Sequence, residues 1–225
     1  MAKNRQVLLA RRPEGAPSAD SFELAETEVP TPGAGEFLAR TVYLSLDPYM
    51  RGRMNAEKSY AEPVPLGGVM EGGTVSVVET SNHPDFAVGD ILVGRTGWQD
   101  YAVSDGTGVS KVDPSIAPIS TALGVLGMPG MTAYSGLLRL GKPKAGETLV
   151  VAAASGAVGA NVGQIAKIKG CRAVGPRNAP MSWTNSASTP ASTTAPTISR
   201  HSSPPPARRA STSISRTSRA ASWRP

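Results

Sequence analysis

One stretch, residues 147–175, constrains the fold most, because its pattern is typical of a strand, a tight turn, a helix and a second strand. Residues 148–152 form a short apolar run of the kind that a buried parallel strand requires. Ala153, Gly156 and Gly159 follow with the spacing A-x-x-G-x-x-G, in which alanine replaces the usual first glycine. In this spacing the middle glycine lets the backbone approach a diphosphate, and the last lets the helix pack closely on its strand.

The helix predicted after this turn carries apolar residues near helical spacing and ends at Gly170, and a second strand is predicted from Arg172. The helix N-terminus would present free N–H groups and the positive end of its dipole to a phosphate. The pattern therefore predicts a dinucleotide site. The alternative is a turn that only packs a helix on a sheet and binds no nucleotide.

The net charge of +6 would favour an anionic partner if it were spread over the chain. Residues 176–225 hold seven arginines and no Asp or Glu, whereas the other 16 Lys and Arg and all 17 acids lie in 1–175. The first 175 residues are therefore nearly neutral, and the basicity belongs to the last 50. We expect no nucleic-acid partner.

Cys171, the single cysteine, stands at the start of a predicted buried strand, so we expect a small core residue rather than a nucleophile. His83 and His201 lie far apart without neighbouring cysteines, so no zinc site is expected. No apolar leader and no run of about 18 apolar residues is present, so we expect neither a signal peptide nor a membrane span. These features favour a cytoplasmic protein.

The first 120 residues are predicted to form a strand-rich domain, a sandwich or a partly open barrel. Short β-prone segments alternate there with Pro and Gly turn signals. The predicted strands are 6–10, 22–28, 36–45, 74–79, 90–93 and 100–103.

Within this domain, the stretch 44–54 leaves a strand and turns at Asp47-Pro48. It then presents Tyr49, Arg51 and Arg53, and Tyr60 follows on a polar loop. A tyrosine hydroxyl in a cleft can donate to a substrate carbonyl or relay a proton. The spacing alone favours a structural interpretation, in which Tyr49 packs its ring and Arg51 pairs with a neighbouring acid.

Residues 119–141 are predicted to be a helical connector. An apolar, Ala-rich segment runs over 119–126, the sequence 127–130 (GMPG) breaks it, and a helix restarts over 131–140 with Gly141 as its stop.

After Gly175 the composition changes abruptly. Ser, Thr, Pro, Arg and Ala make up 42 of the residues 176–225, which contain no Gly, Leu, Val or acid. Such a segment cannot bury enough apolar surface to offset its ordering entropy, so we expect a disordered tail. The change falls inside the second strand of a βαβ unit, where a domain does not end.

Three motifs together resemble the zinc-free branch of the medium-chain dehydrogenase/reductase superfamily, which includes prostaglandin/leukotriene reductases, alkenal double-bond reductases and bacterial NADPH-dependent curcumin reductases. They are 47–54 (DPYMRGRM), 127–134 (GMPGMTAY) and 153–159 (AASGAVG). The resemblance implies an α/β chain with a GroES-like β-barrel domain in 1–120 and the start of a Rossmann NADP-binding domain in 121–175. The tail, 176–225, has no counterpart in it.

The resemblance also implies residue roles. Tyr49 and Tyr60 would line the substrate pocket, and Tyr49 would be the catalytic hydroxyl. NADP would lie along residues 156–159, with the nicotinamide near Met128 and Thr132. The implied cofactor-binding residues are Met128, Thr132, Ser155, Gly156, Ala157, Val158 and Gly159. Hydride would go to the β-carbon of an α,β-unsaturated ketone or aldehyde. The enolate would then be protonated at the α-carbon, while a tyrosine or a cofactor hydroxyl holds its oxygen. The chemistry needs no metal, because a hydrogen-bond donor suffices to stabilise an enolate-like transition state. A homodimer is usual in the resembled family.

A shift of reading frame near Pro176 is our hypothesis for the tail. The sequence 180–185 (PMSWTN) fixes codons that, read two bases later, encode a Val and an Asp inside a Tyr-Val-Val-Asp-Glu pattern that the resembled family carries after this strand. We expect the chain as given to have little or no activity. The coding DNA across residues 170–185 decides the hypothesis, and codons 180–185 that give no such pattern when read two bases later would refute it.

Three alternatives to an enone reductase remain at the level of sequence. One is a quinone reductase of the same superfamily, which shares the glycine loop but which the motif 47–54 disfavours. Another is an inert, truncated product that folds only in its barrel. A third is a binder of nucleic acid or of an anionic surface that uses the seven tail arginines, which have no aromatic interleaving beyond Trp183 and Trp223 and match no known motif.

Overall fold

The computed structural model describes residues 2–57 and 59–175. The tail 176–225, expected above to be disordered and out of frame, lies outside these residues. The chain divides into two compact units, with the boundary between Leu123 and Gly124. Each unit is described by itself below.

Antiparallel strands build the first unit, as its alternating pattern and turn signals predicted. All six predicted strands are confirmed, with ends moved by at most three residues. The short strand β7 was not predicted, because two residues carry no periodicity. The strands are β1 (Lys3–Leu9), β2 (Phe22–Glu28), β3 (Phe37–Leu44), β4 (Thr74–Ser81), β5 (Ile91–Gly94), β6 (Tyr101–Ser104) and β7 (Ser110–Lys111).

Strands β3 to β7 form a five-stranded sheet in the order β6-β3-β4-β5-β7, and β1 pairs with β2 in a separate two-stranded sheet. Isolated bridges from Gln6 to Gln99 and from Leu8 to Val69 connect β1 to the loops beside the larger sheet. The bridges join the smaller sheet to the loops of the larger one, so the unit is a small barrel-like domain.

Two apolar clusters form the core of this unit. One is built around Phe37 and Leu92 of the five-stranded sheet. The other is rich in methionine and lies under a short helix, α1 (Tyr49–Arg53). Its buried members are Leu9, Met50, Met54, Val64 and Met70.

The second unit is a strand–helix–strand unit preceded by a helical segment. Its parallel strands are β8 (Thr148–Val150) and β9 (Arg172–Val174), joined by helix α3 (Ala157–Ile168). Helix α3 ends where Gly170 takes a positive φ of 75°, as the predicted stop requires. The buried core of this unit comprises Ala133, Leu137, Leu149, Val162, Ala166 and Cys171.

Cys171 is a small core residue, as predicted. Its thiol is buried and its sulfur lies 3.2 Å from the carbonyl oxygen of Lys144. Burial raises the pKa of the thiol, with a further contribution from the charge of Glu147. The group is therefore the uncharged thiol at neutral pH.

The predicted helical connector is corrected in its details. Residues Ile119–Leu123 form only a 3-10 turn, and helix α2 (Met128–Tyr134) begins within the sequence that was predicted to break it. The backbone then continues as a π-helix over Ser135–Gly141. Proline at the first turn of a helix loses no hydrogen bond, so Pro129 starts α2 instead of ending a helix.

Gly130 is required by packing. A Cβ at this position would lie 1.8 Å from the carbonyl oxygen of Val125, closer than any real contact. Gly136 is a matched contrast, because a Cβ there meets no atom within 4 Å.

We expect Gly130→Ala to destabilise the second unit by about 1–3 kcal/mol or more, because the backbone of Val125 must move. Gly136→Ala should be neutral or stabilising by up to about 1 kcal/mol. Thermal unfolding of the two variants, followed by circular dichroism, checks this. Equal unfolding temperatures would contradict the packing argument.

Candidate functional site

Tyr49 is positioned by the short helix α1. Two methionines at this helix, Met50 and Met54, pack into the core and anchor it. The chain leaves β3, turns at Asp47-Pro48, and the N–H of Met50 donates to the carbonyl of Asp47 at 3.1 Å. Met50 and Met54 are both buried in the methionine-rich cluster. Tyr49, half-buried, packs its ring against the same cluster, so its phenol is held at the surface of the barrel unit.

The guanidinium of Arg51 binds backbone carbonyls and an amide oxygen in the described residues, where the sequence suggested a neighbouring acid. Its Nε donates to the carbonyl of Gly15 at 2.9 Å and its Nη2 to the carbonyl of Pro13 at 2.8 Å. Its Nη1 donates to Oδ1 of Asn55 at 2.6 Å. A guanidinium has five fixed donors, so one side chain ties the loop after β1 to the end of α1. Arg51 therefore fixes the helix that carries Tyr49.

Arg53 lies on the other side of α1 and is buried, with its side chain only 4% exposed. Its Nη1 donates to the carbonyl of Ala61 at 2.8 Å, and its Nε lies 3.4 Å from Oε2 of Glu71. The Nε makes no hydrogen bond of acceptable geometry, so the contact with Glu71 is an ion pair alone. Its Cζ lies 4.3 Å from the centre of the Tyr60 ring.

Burial and four neighbouring groups change the pKa of the Tyr49 phenol. Burial is the largest effect and raises this pKa, whereas the positive charge of Arg95 lowers it. Asp47, Glu71 and Tyr60 raise it further. The Arg95 guanidinium lies 6.0 Å from the centre of the Tyr49 ring. The phenol therefore keeps its proton at neutral pH and can donate a hydrogen bond.

The second unit carries the glycine loop between β8 and α3. Gly156 is the N-cap of α3 in an extended conformation, and its N–H donates to the carbonyl of Ala153 at 3.0 Å. A Cβ on Gly159 would lie 2.0 Å from that same carbonyl oxygen and 3.0 Å from the Cα of Ala154. Only glycine permits this approach. The first turn of α3 therefore packs directly on the loop, as the spacing predicted.

The N-terminus of α3 is open to a ligand. Its N-cap glycine has no side chain, and no side-chain hydrogen bond caps the helix. Ser155, Gly156 and Ala157 are exposed, while Val158 is half-buried. The first N–H groups of a helix have no partner within the helix, and the dipole places positive charge there. These features fit a diphosphate, which accepts hydrogen bonds from such amides.

Met128 and Thr132, expected near a nicotinamide, lie four residues apart on α2 and share one exposed face. Met128 is 52% exposed. The hydroxyl of Thr132 donates to the carbonyl of Met128 at 2.7 Å, which fixes its rotamer.

Sequence reasoning missed three residues around Tyr49. Arg53 was noted only as a neighbour of Arg51, and neither Glu71 nor Arg95 was singled out. Their partners come from segments distant in sequence, so no local pattern reveals them.

Known proteins resemble this chain over most of its described residues. A family model described as the N-terminal domain of an oxidoreductase matches residues 5–112. The NADPH-dependent curcumin reductase of Escherichia coli is 61% identical over 173 residues, which cover 77% of this chain and 50% of that protein. The described part of the chain belongs to the medium-chain dehydrogenase/reductase superfamily. Its two units are the GroES-like barrel and the beginning of the Rossmann domain of these enzymes.

Two further relatives define the branch of the superfamily. Prostaglandin reductase 1 of Rattus norvegicus is 44% identical over 178 residues, 78% of this chain and 52% of that protein. The crystal structure of CurA from Vibrio vulnificus in complex with NADPH has a TM-score of 0.71 at 60% identity and covers 76% of this chain and 51% of that chain. The chain thus spans about half the length of the medium-chain reductases it matches.

No helix in 2–57 or 59–175 is long and apolar enough to span a bilayer. Over the same residues, no group of three or more His, Cys, Asp or Glu is placed to hold a metal ion.

Removing the charge of Arg95 tests the electrostatics of Tyr49. We expect Arg95→Gln to raise the pKa of the Tyr49 phenol, because the guanidinium favours the phenolate. The measurement is a ¹⁹F NMR pH titration of chain labelled with 3-fluorotyrosine, with Tyr49→Phe assigning the signal. Arg40→Gln, which removes an exposed arginine paired with Glu79, is the control and should leave this pKa unchanged. A lowered pKa in Arg95→Gln would contradict the assignment.

Proposed function

We propose that this chain carries the substrate edge and the cofactor cradle of an NADPH-dependent reductase of the C=C bond of α,β-unsaturated ketones and aldehydes. The observation that carries the proposal is the packing of Gly159 on the carbonyl of Ala153, which leaves the N-terminus of α3 open and uncapped. The relatives support it, because a bacterial protein at 61% identity is named an NADPH-dependent curcumin reductase.

In the cofactor half, the exposed turn around Ser155, Gly156 and Ala157 binds the diphosphate of NADP through backbone N–H groups. Val158 and Gly159 complete the turn, and Gly159 keeps it close to the strand. In this proposal the exposed face of α2 with Met128 and Thr132 contacts the nicotinamide.

In the substrate half, the protonated phenol of Tyr49 donates a hydrogen bond to the carbonyl oxygen of the substrate. The negative charge that develops on this oxygen strengthens the bond, so the transition state is stabilised more than the ground state. Tyr60 lines the same pocket. NADPH, when bound, supplies a hydride to the β-carbon, and a proton then adds to the α-carbon.

The proposed partners are thus NADPH and a small unsaturated carbonyl compound. The resemblance implies a homodimer. The single, buried and free thiol of Cys171 suits a reducing compartment, so we place the protein in the cytoplasm.

Gly159→Ala tests the cofactor half. We expect it to weaken NADPH binding at least about tenfold, because the added methyl group forces α3 away from the loop. The measurement is a titration followed by NADPH fluorescence. Gly136→Ala, whose added methyl group meets no atom, is the control and should bind like the parent chain. Equal affinities of all three proteins would contradict the proposal.

The substrate half is tested by a turnover assay on a second protein. A chain translated in the shifted reading frame after Gly175 should oxidise NADPH in the presence of an enone. In that protein Tyr49→Phe should lower kcat by about 100-fold, the usual effect of removing one donor to a developing oxyanion. No enone-dependent oxidation in the frame-restored protein would refute the reductase.

A further inference from the structure

We propose that Arg53 is a specificity-determining positioning residue, whose buried guanidinium holds the ring of Tyr60 as a stacking surface for enones with a planar, conjugated substituent. The inference rests on the proposed function, because it concerns the substrate pocket of that reductase. It assigns a role to a residue that touches neither the carbonyl nor the cofactor.

The guanidinium is fixed in place before any substrate arrives. It is held by the carbonyl of Ala61 at 2.8 Å and by the carboxylate of Glu71 at 3.4 Å. Met54, the residue after it, is buried in the core, so the backbone at Arg53 is anchored as well. A buried charge needs such partners, since an unpaired one would be strongly unfavourable.

The position of the Tyr60 ring depends on the guanidinium of Arg53. Its side chain is 81% exposed, and one face of its ring lies 4.3 Å from the Cζ of Arg53. A cation over an aromatic face is attracted by the ring quadrupole, so the contact restrains an otherwise exposed side chain. One face of the Tyr60 ring therefore contacts the guanidinium, and the opposite face is exposed.

The outward face lies in the right surroundings for a substrate. Tyr49 and Arg53 are four residues apart on α1, so they lie on the same side of this helix. The ring of Tyr60, which contacts Arg53, is therefore on the side of α1 that carries the proposed hydrogen-bond donor. A substrate whose carbonyl accepts from Tyr49 can lay a conjugated substituent on a nearby aromatic ring. Aromatic pairs gain from such stacking beyond their buried area, whereas a short alkyl substituent gains little.

We expect that loss of the Arg53–Tyr60 contact removes the pocket's preference for enones with planar substituents. The hydrogen bond from Tyr49 to the substrate carbonyl should stay intact. The test uses the full chain labelled with 3-fluorotyrosine and ¹⁹F NMR, with Tyr60→Phe and Tyr49→Phe assigning the two signals. Two enones are titrated, 4-phenyl-3-buten-2-one and 3-penten-2-one.

Arg53→Gln should move the Tyr60 signal and weaken the aryl enone about fivefold, as expected for loss of one cation–π contact, with no change for the alkyl enone. Arg53→Lys should give an intermediate effect, because it keeps the cation without the flat face. Arg40→Gln, which removes an exposed arginine paired with Glu79, is the matched control and should change neither signal nor affinity. The signal of Tyr101, in β6, reports that each variant remains folded.

Two results would overturn the inference. One is an unmoved Tyr60 signal in Arg53→Gln, and the other is an aryl preference that Arg53→Gln retains. If the Tyr49 signal still responds to both enones in those cases, the proposed function stands and only the role of Arg53 falls. If neither enone moves the Tyr49 signal of the parent chain, the substrate half of the proposed function falls, and the role of Arg53 falls with it.

Discussion

The approach of Gly159 to the carbonyl oxygen of Ala153 is the contact on which the second unit depends. A side chain at this position would place its first carbon 2.0 Å from that oxygen, so helix α3 could not lie where it does. Its position brings Val162 and Ala166 onto β8 and β9 and builds the core of the unit. The same contact leaves the first amides of the helix facing outward. One steric requirement thus produces both the packing and the open helix terminus.

In the barrel unit, arginines organise the segment around Tyr49. Arg51 and Arg53 lie two residues apart on α1, and each satisfies backbone carbonyls from a different loop. Long side chains with several fixed donors are suited to this, because one residue can order irregular backbone that has no ladder of its own. Tyr49 therefore lies on a helix whose methionines pack into the core. The guanidinium groups of Arg51 and Arg53 tie this helix to the neighbouring loops.

Local patterns in the sequence predicted the features that depend only on neighbouring residues. The strands of the barrel, the glycine turn, the stop at Gly170 and the buried Cys171 all follow from periodicity and backbone freedom, and the structure confirms them. The start of α2 was misplaced, because Pro129 ends one helix or begins another depending on its neighbours. The partners of Arg51 and Arg53 could not be predicted from local patterns, because they lie up to 38 residues away in the sequence.

The most direct test of the account follows the backbone amides of a ¹⁵N-labelled chain by NMR while NADP⁺ is added. If the open terminus of α3 is the cofactor cradle, the largest shifts will fall on Ser155, Gly156, Ala157, Val158 and Gly159. The amides of the barrel strand β4 serve as the internal reference and should move little. Shifts spread evenly over the chain, or none in the glycine loop at saturating NADP⁺, would contradict the central claim.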